Sequence, residues 1–256
     1  MIHNTAIIDD SAKIADDVHV GPYCVIEADV EIQSGTIIEP HVVIKGPTLI
    51  GKDNHIFQFA SIGEQPQDLK YAGEYTRLEI GDRNTIREYV TMHRGTEQGG
   101  GITRIGSDNL FMAYTHVAHD CLIGNHIILA NNATLAGHVT VGDHAILGGF
   151  TSVHQFTRIG AHCFTGFATA LDRDVLPYFI VAGNRARAIG INKEGLRRRD
   201  FSKETIRALQ EVFKILVKAK GSHQEAVEKA KVLAKDSVEV QQVLDFLEQS
   251  QRGWTR

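Results

Sequence analysis

The chain lacks any run of apolar residues long enough to cross a bilayer, which takes about 18 to 20 residues. Its N-terminus has neither the basic start nor the apolar core of a signal peptide. Basic residues are not in excess, because 27 Lys and Arg stand against 31 Asp and Glu, a net charge of -4. The sequence therefore predicts a cytoplasmic protein with no membrane span and no nucleic-acid partner, since phosphate contacts favour a basic surface.

Cysteine is also scarce, and its three residues are not spaced for redox chemistry or metal binding. Cys24, Cys121 and Cys163 are far apart, and no C-x-x-C motif occurs. Each takes the fifth place of a six-residue repeat, a place held elsewhere by small or β-branched side chains. Free cysteine packs as a small hydrophobic residue. We therefore expect the cysteines in the interior and no cysteine nucleophile.

What the chain has in abundance is a period of six. Between Ile105 and Val175 every sixth residue is large and apolar, with the exception of Thr165. The first residues of these units are Ile105, Phe111, Val117, Ile123, Leu129, Leu135, Val141, Leu147, Val153, Ile159, Thr165 and Leu171. The same period runs from Ile8 to Ile62 and from Ile80 to Met92. A fixed internal period is the signature of a solenoid.

This period matches neither a regular strand nor a helix. Strand alternation would make the third residue of each unit apolar, and a helix would need apolar residues three and four apart. Polar residues and glycine fill the third and fourth places instead. The pattern favours short strands joined at corners that Gly or Asn tolerates, with three units in each triangular coil. The first and fifth side chains would then point into the prism.

Two stretches interrupt the repeat, near residues 64–78 and 95–102. Insertions into a solenoid form external loops, often on the binding face. Either loop could therefore bind a substrate or partner, or merely fill a contact between subunits.

The repeat ends after Leu171, and helix patterns follow. Apolar residues at three- and four-residue spacing mark a first helix at Ile206, Leu209, Phe213, Leu216 and Val217, with Gly221 as its C-cap, and a third at Val240, Val243, Leu244 and Leu247. A capping box at Ser222–Glu225 opens the second helix. We predict a β-prism of about nine coils over residues 1–184 and a C-terminal α-helical cap over 185–256.

Stacked coils bring residues 18 positions apart to within about 4.8 Å of each other. This places His119, Gly137 and Gln155 in one column. One edge of three coils then gathers His116, His119, Asp120, His138, His154 and Gln155. A histidine beside a carboxylate suits a general base, and an unhindered glycine amide suits an oxyanion. A second column, His126, His144 and His162, is typical of solvated corner residues.

Five segments carry a family resemblance: Thr115–Cys121, Asn131–His138, Val153–Phe156, Gln67–Glu74 and Asn192–Leu196. Together they resemble the UDP-N-acetylglucosamine O-acyltransferases, which start lipid A synthesis, over essentially the whole chain. The resemblance implies a mainly β fold, the left-handed parallel β-helix of the hexapeptide-repeat acyltransferases, although parallel crossovers are otherwise right-handed. It also implies a homotrimer with active sites between neighbouring prisms.

The resemblance further implies transfer of a (3R)-3-hydroxyacyl group from acyl carrier protein to the glucosamine 3-hydroxyl of UDP-N-acetylglucosamine, with no cofactor and no metal. His119 would take the hydroxyl proton with help from Asp120, and the Gly137 N–H would bind the thioester oxyanion. Binding roles would fall to Gln67, Asp68, Lys70, His116 and His138 for the sugar nucleotide, Asn192, Glu194 and Arg198 for its distal part, and His154 and Gln155 for the acyl or pantetheine end. Arginines beyond the prism, among them Arg185, suit phosphate and an acidic carrier protein.

Phe167, with Phe164 nearby, marks a departure from the family. A late coil sets the far end of the acyl groove in these enzymes, and glycine there permits longer chains. We expect Phe167 to shorten the preferred chain to about ten to twelve carbons, although one methylene contributes only ~1 to 3 kcal/mol of discrimination.

Three alternatives stay open. A zinc enzyme of the γ-carbonic-anhydrase type would use histidines of adjacent prisms, but it would leave residues 67–74 and the helical cap without a task. The N-acyltransferase of the same pathway would carry an extra domain ahead of the repeats, which here begin by Ile8. A non-catalytic scaffold would only bind acyl carrier protein.

Overall fold

The computed structural model describes residues 1–218 and 223–256, and it shows a prism with three sheets of nine, eight and ten strands, which are parallel except for the last strand of the third sheet. Sheet 1 consists of Ile7–Ile8, Val25–Ile26, Val43–Ile44, Ser61–Glu64, Thr91–His93, His116–Val117, Thr134–Leu135, Ser152–Val153 and Ala170–Leu171. Sheet 2 consists of Lys13–Ile14, Val30–Ile32, Thr48–Ile50, Arg77–Ile80, Ile102–Ile105, Leu122–Ile123, Thr140–Val141 and Arg158–Ile159. Sheet 3 consists of His19–Val20, Ile37–Ile38, His55–Ile56, Thr85–Ile86, Leu110–Phe111, Ile128–Leu129, Ile146–Leu147, Phe164–Thr165, Phe179–Ala182 and Arg187–Ile191.

The chain visits sheets 1, 2 and 3 in turn, so each circuit is one coil. His116 pairs with Thr134, and Ser152 pairs with Ala170, each 18 residues further on. The predicted left-handed parallel β-helix is confirmed. We name the corners by the sheets they join: corner 1–2, corner 2–3 and corner 3–1.

The interior is filled by the first and fifth side chains of each unit, as the pattern predicted. Ile44, Ile62 and Phe111 hold the first place and are fully buried. Thr115 and Cys121 hold the fifth place and are buried as well. Each large apolar side chain buried in this way contributes roughly 1.5 to 3 kcal/mol to folding.

All three cysteines lie in this interior, so their predicted packing is confirmed. Burial raises the pKa of Cys24, and it raises the pKa of Cys121 and Cys163 to about 12. Thiols that stay protonated are poor nucleophiles.

Three fifth-place residues near the middle of the prism are polar and form a buried amide ladder. Asn54 Oδ1 accepts hydrogen bonds from the backbone N–H and the side-chain amide of Asn84, at 2.9 and 3.0 Å. Asn84 Oδ1 in turn accepts from the backbone N–H of Asn109 at 3.0 Å. Buried amides are tolerated because each has a partner in the next coil.

The corners differ from the sequence prediction, which expected Gly or Asn there. The fourth residue of a unit has positive φ, and it is often bulky or charged, as at Tyr114, Asp120 and His138, with φ of 64°, 60° and 61°. Rings of successive coils stack at these corners; the Tyr89 and Tyr114 centroids, for example, lie 4.9 Å apart. Ring stacking of this kind offsets the cost of the left-handed backbone, ~1 to 2 kcal/mol per residue.

The histidine column of corner 2–3 follows this pattern. The rings of His126 and His144 lie 4.7 Å apart, and those of His144 and His162 lie 4.8 Å apart. His126 is exposed, but His162 packs against Tyr178 and Phe201. Burial lowers the pKa of His162 to about 4. The prediction of a solvated column is therefore right for His126 and wrong for His162.

Both interruptions of the repeat form loops at the same corner. Residues 65–76 connect Ser61–Glu64 of sheet 1 to Arg77–Ile80 of sheet 2. Residues 94–101 connect Thr91–His93 to Ile102–Ile105, again from sheet 1 to sheet 2, and include a 3-10 turn at Glu97–Gly99. Both loops therefore lie at corner 1–2, where the sequence also places its histidine cluster.

The C-terminal region begins with an antiparallel hairpin, Phe179–Ala182 with Arg187–Ile191, that extends sheet 3. The described residues that follow contain four helices: α1 Lys193–Arg197, α2 Lys203–Phe213 with a π-helical turn Lys214–Lys218, α3 His223–Ala234 and α4 Val238–Glu248. The short α1 was not predicted. The division at 184/185 stays a prediction, because the hairpin spans it.

The predicted first helix is α2, whose buried face includes Ile206, Leu209 and Phe213. The predicted cap residues Gly221 and Ser222 lie outside the described residues. The predicted third helix is α4, which buries Val240, Val243 and Leu244. No helix within residues 1–218 and 223–256 combines the length and apolar character needed to cross a membrane.

Candidate active site

Corner 1–2 brings together most of the predicted site residues. His116 begins the strand His116–Val117 of sheet 1, and His119 and Asp120 form the corner that follows it. One coil further, the backbone N–H of His138 donates to the carbonyl of His119 at 3.0 Å. His154 and Gln155 lie at the next corner of the same edge and are exposed.

His119 and Asp120 form a hydrogen-bonded pair. Nδ1 of His119 lies 2.7 Å from Oδ2 of Asp120, and their side chains are 12% and 1% exposed. A carboxylate acceptor at Nδ1 holds the proton on that nitrogen, so the lone pair of neutral His119 is on Nε2. The pair therefore has the tautomer that a general base requires.

The Asp120 carboxylate is held by the glycine-rich loop. Oδ1 accepts from the Thr96 backbone N–H at 2.8 Å, and Oδ2 accepts from the Thr96 hydroxyl at 2.7 Å. Burial alone would raise the pKa of Asp120, but the hydrogen bonds from His119 and Thr96 outweigh it and hold the pKa below its usual value. A Cβ on Gly99 would lie 2.1 Å from Asp120 Cγ, so only glycine fits above the carboxylate.

Gly137 lies against the imidazole of His119, as the stacking argument predicted. A Cβ on Gly137 would lie 2.5 Å from Cε1 of His119. Within residues 1–218 and 223–256 the Gly137 backbone N–H donates to no acceptor. A free amide beside the base can stabilise an oxyanion.

His93 joins the cluster although the sequence analysis did not identify it. Its ring lies edge-on to that of His116, with centroids 5.0 Å apart, and His116 Nδ1 lies 2.7 Å from the Thr91 hydroxyl. Burial, followed by the charge of His116, lowers the pKa of His93 to about 4. Counting coils across residues 94–101 would have found His93, because Thr91 pairs with His116 at a spacing of 25 instead of 18.

The longer loop lies beside this cluster. A cavity of about 530 Å³ is lined by Gln67 and Asp68 of the loop together with His93. Burial lowers the pKa of His138 and the charge of His119 lowers it further, which outweighs the opposing charges of Asp120 and Asp68. Lys70 is exposed on the same loop, and its backbone N–H donates to Asp68 Oδ1 at 3.0 Å.

The remaining predicted residues lie elsewhere on the prism. Asn192 is buried at the start of α1, where its amide donates to the His162 carbonyl and its oxygen accepts from Gly195 N–H. Arg198 and Glu194 are exposed and lie 3.5 Å apart. Since His162 belongs to corner 2–3, one chain does not bring these residues to His119.

The two predicted ruler residues are likewise on another surface. Phe164 is in a strand of sheet 3, and Phe167 is at corner 3–1. Phe167 is 74% exposed, and its ring meets the edge of Phe150 at 5.4 Å between centroids.

Among the described residues, one group of side chains could hold a metal ion. The ligand atoms of His119, Asp120 and His138 all lie within 4.8 Å of one another. Zinc in a catalytic site takes three protein ligands and a water. Asp120, however, already accepts hydrogen bonds from Thr96 and faces Nδ1 of His119. The geometry suits Asp120 as the group that orients His119 better than as a metal ligand.

Comparisons with known proteins match the whole chain. A family model described as UDP N-acetylglucosamine O-acyltransferase, domain 2, matches residues 174–255, and a bacterial transferase hexapeptide model matches residues 11–46 and 102–137. The structure of LpxA from Acinetobacter baumannii is 50% identical, with 100% of this chain and 99% of that chain covered and a TM-score of 0.97. UDP-N-acetylglucosamine O-acyltransferase (LpxA) from Moraxella catarrhalis is 48% identical, with the same coverage and a TM-score of 0.96. The Arabidopsis UDP-N-acetylglucosamine acyltransferase is 32% identical, with full coverage of both chains and a TM-score of 0.88.

The contact between Thr96 and Asp120 predicts a role for the glycine-rich loop. Thr96→Val removes the hydroxyl donor to Asp120. If His119 acts as the base, we expect kcat/KM to fall about tenfold, the equivalent of ~1.4 kcal/mol.

The same change should raise the pKa of Asp120, because the carboxylate loses a hydrogen bond. A carboxyl group whose pKa is lower in the folded than in the unfolded protein stabilises the fold at pH values above its unfolded-state pKa. That stability is lost as the pH falls towards the folded-state pKa. Unfolding measured against pH should therefore show the loss at higher pH in the variant.

Thr96→Ser is the matched control, because it keeps the hydroxyl. It should retain both the activity and the pH dependence of the unmodified protein. Equal losses in the Ser and Val variants would show that the hydroxyl does not act through Asp120.

Proposed function

The chain belongs to the UDP-N-acetylglucosamine O-acyltransferase family, and we propose that His119 is the general base of its acyl transfer. The enzyme transfers a (3R)-3-hydroxyacyl group from acyl carrier protein to the glucosamine 3-hydroxyl of UDP-N-acetylglucosamine, the first step of lipid A biosynthesis. The observation that carries the mechanism is the position of His119 between the buried carboxylate of Asp120 and the free amide of Gly137.

In the proposed reaction, Nε2 of His119 removes the proton from the sugar hydroxyl as its oxygen attacks the thioester carbonyl. The new C–O bond forms a tetrahedral intermediate whose oxyanion accepts from the Gly137 N–H. Collapse breaks the C–S bond, and the leaving sulfur takes the proton from His119. Asp120 holds the ring and stabilises the imidazolium. One oxyanion donor contributes ~3 to 4 kcal/mol to such a step.

The sugar nucleotide is proposed to bind beside the longer loop. Gln67, Asp68 and Lys70 lie at the same corner as His116 and His138, and the Lys70 ammonium suits a diphosphate. His154 and Gln155, one coil beyond Gly137, are then placed for the acyl or pantetheine end. With a nucleotide sugar and an acyl carrier protein as substrates, we propose that the enzyme works in the cytoplasm.

We propose that the enzyme is a homotrimer, and the separation of the site residues supports this. Phe164 lies in sheet 3, Phe167 lies at the corner after it, and Asn192, Glu194 and Arg198 belong to α1, which follows the last strand of sheet 3, whereas His119 is at corner 1–2. A neighbouring prism that presents its sheet 3 to corner 1–2 would bring both sets into one cleft. Cyclic symmetry then gives three identical clefts. In this arrangement Asn192 acts through its cap on α1, because its own side chain is already hydrogen-bonded.

The direct test is turnover by the purified enzyme with UDP-N-acetylglucosamine and 3-hydroxyacyl carrier protein. His119→Ala should lower kcat by about 100- to 10,000-fold, because a positioned general base contributes that much. His126→Ala is the matched control, since His126 is an exposed histidine of corner 2–3.

Two outcomes would contradict the mechanism. Residual activity of His119→Ala equal to that of the control would exclude His119 as the base. Stoichiometric zinc whose removal abolishes activity would favour the zinc alternative, because the proposed steps use only side chains and a backbone amide.

Mixed trimers test whether each cleft is shared by two chains. His119→Ala and Arg198→Ala chains should each be impaired alone. Trimers assembled from equal amounts of both chains should regain about one quarter of wild-type activity. With random assembly, about one cleft in four combines an intact His119 from one chain with an intact Arg198 from its neighbour. If mixing restores nothing, both residues act within one chain and the shared cleft is wrong.

The acyl-chain ruler is tested by Phe167→Gly. We expect the wild type to prefer carrier-linked chains of about ten to twelve carbons and the variant to shift towards longer ones, since the exposed ring occupies the end of the groove. Rates for a graded series of 3-hydroxyacyl donors measure the shift. An unchanged preference would show that Phe167 does not set chain length.

A further inference from the structure

A second cavity, of about 550 Å³, lies at the C-terminal end of the edge that carries His119. It is lined by His154, Asp172, Arg173, Arg185 and Arg252. The mechanism above uses none of the three arginines. They come from three separate parts of the chain: the corner after Ala170–Leu171, the hairpin turn, and the segment after α4.

The charges of this cavity do not cancel. Asp172 lies 3.5 Å from Arg185 and pairs with it. Arg252 donates to the backbone carbonyl of Asp172 at 3.4 Å, which leaves its charge in place. Within residues 1–218 and 223–256 no carboxylate is within 4.0 Å of the Arg173 or Arg252 guanidinium. Two positive charges therefore face the cavity without a counter-ion from the described chain.

The C-terminal segment is fixed against the corner. Asp174 is buried, and its Oδ2 accepts from the Ser250 hydroxyl at 2.7 Å. The Asp174 N–H donates to Gly253, and its carbonyl accepts from Thr255 N–H at 2.7 Å. Oδ1 of Asp174 accepts from the Arg158 N–H at 2.8 Å, so both carboxylate oxygens are used. These bonds hold Arg252 beside Arg173.

The distance from the reacting centre suits the carrier protein's prosthetic arm. Gly137, Gln155 and the corner at Asp172–Asp174 belong to successive coils, so the Gly137 backbone lies ~10 Å from that corner. An extended arginine side chain adds ~6 Å. A phosphopantetheine arm has about 13 bonds between its sulfur and its phosphorus, which span about 16 Å when extended.

We propose that Arg173 and Arg252, with Arg185, bind the phosphodiester of the phosphopantetheine arm while its thioester lies at Gly137. The proposal rests on the acyl transfer proposed above. Guanidinium groups bind phosphate oxygens through paired charge-assisted hydrogen bonds. The arm then runs along corner 1–2 past Gln155 and His154, on the opposite side of Gly137 from the sugar-nucleotide loop.

Two donors that differ only in the phosphate test this subsite: 3-hydroxyacyl phosphopantetheine and 3-hydroxyacyl pantetheine. Arg173→Gln and Arg252→Gln should each raise KM for the phosphorylated donor about tenfold, the equivalent of ~1.4 kcal/mol. KM for the pantetheine donor, KM for UDP-N-acetylglucosamine and kcat should stay within about twofold. Carrier-linked donor should follow the phosphorylated one.

Arg83→Gln is the matched control, because Arg83 is an exposed arginine of corner 2–3 paired with Asp108. Equal KM changes for the two donors, or none, would overturn the phosphate subsite. A rise in KM for UDP-N-acetylglucosamine instead would assign the arginines to the nucleotide diphosphate and would also overturn it. A wild type inactive with every thioester would refute the acyl transfer itself, so the two failures are distinguishable.

Discussion

The hydrogen bonding of each coil to the next is the constraint on which both the core and the site depend. Residues 18 apart pair in register, as His116 does with Thr134. The backbone positions along one column of the prism are therefore regular, whereas the residue type can differ from coil to coil. His119 and Gly137 occupy such a column, and the absence of a Cβ at Gly137 leaves room for the imidazole. The same stacking satisfies the buried Asn54, Asn84 and Asn109. The in-register stacking of neighbouring coils therefore determines both the packing of the core and the geometry of the site.

Departures from the repeat add what the repeat does not supply. A regular corner can place a histidine and a carboxylate side by side, but it leaves the carboxylate free to turn to solvent. The glycine-rich loop covers Asp120 with the Thr96 hydroxyl and amide, and Gly99 allows the close approach. The longer loop lies at the same corner because both insertions follow strands of sheet 1. The site is thus a regular edge closed by two irregular loops.

The period of six was sufficient to predict the prism, the buried cysteines and the approach of Gly137 to His119, because each depends only on register. The period did not predict His93 and Thr96 as site residues. The inserted residues 94–101 lengthen the spacing between paired residues of neighbouring coils from 18 to 25, as between Thr91 and His116. The cap formed by Asn192 depends on the unpredicted helix α1. Bulky corner residues such as Tyr114 were unexpected because their stacking partners are one coil away, beyond any local propensity.

The histidines around His119 have a further consequence for its chemistry. Burial is the largest cause that lowers the pKa of His93, His116 and His138, so these rings are neutral at neutral pH. A protonated neighbour about 5 Å away would oppose a second positive charge by ~3 kcal/mol at an effective dielectric constant of about 20. The neutral rings avoid that cost, and the charged group in contact with His119 is the Asp120 carboxylate. The neutral rings therefore add no repulsion to the imidazolium that forms when His119 accepts a proton, and the Asp120 carboxylate attracts its positive charge.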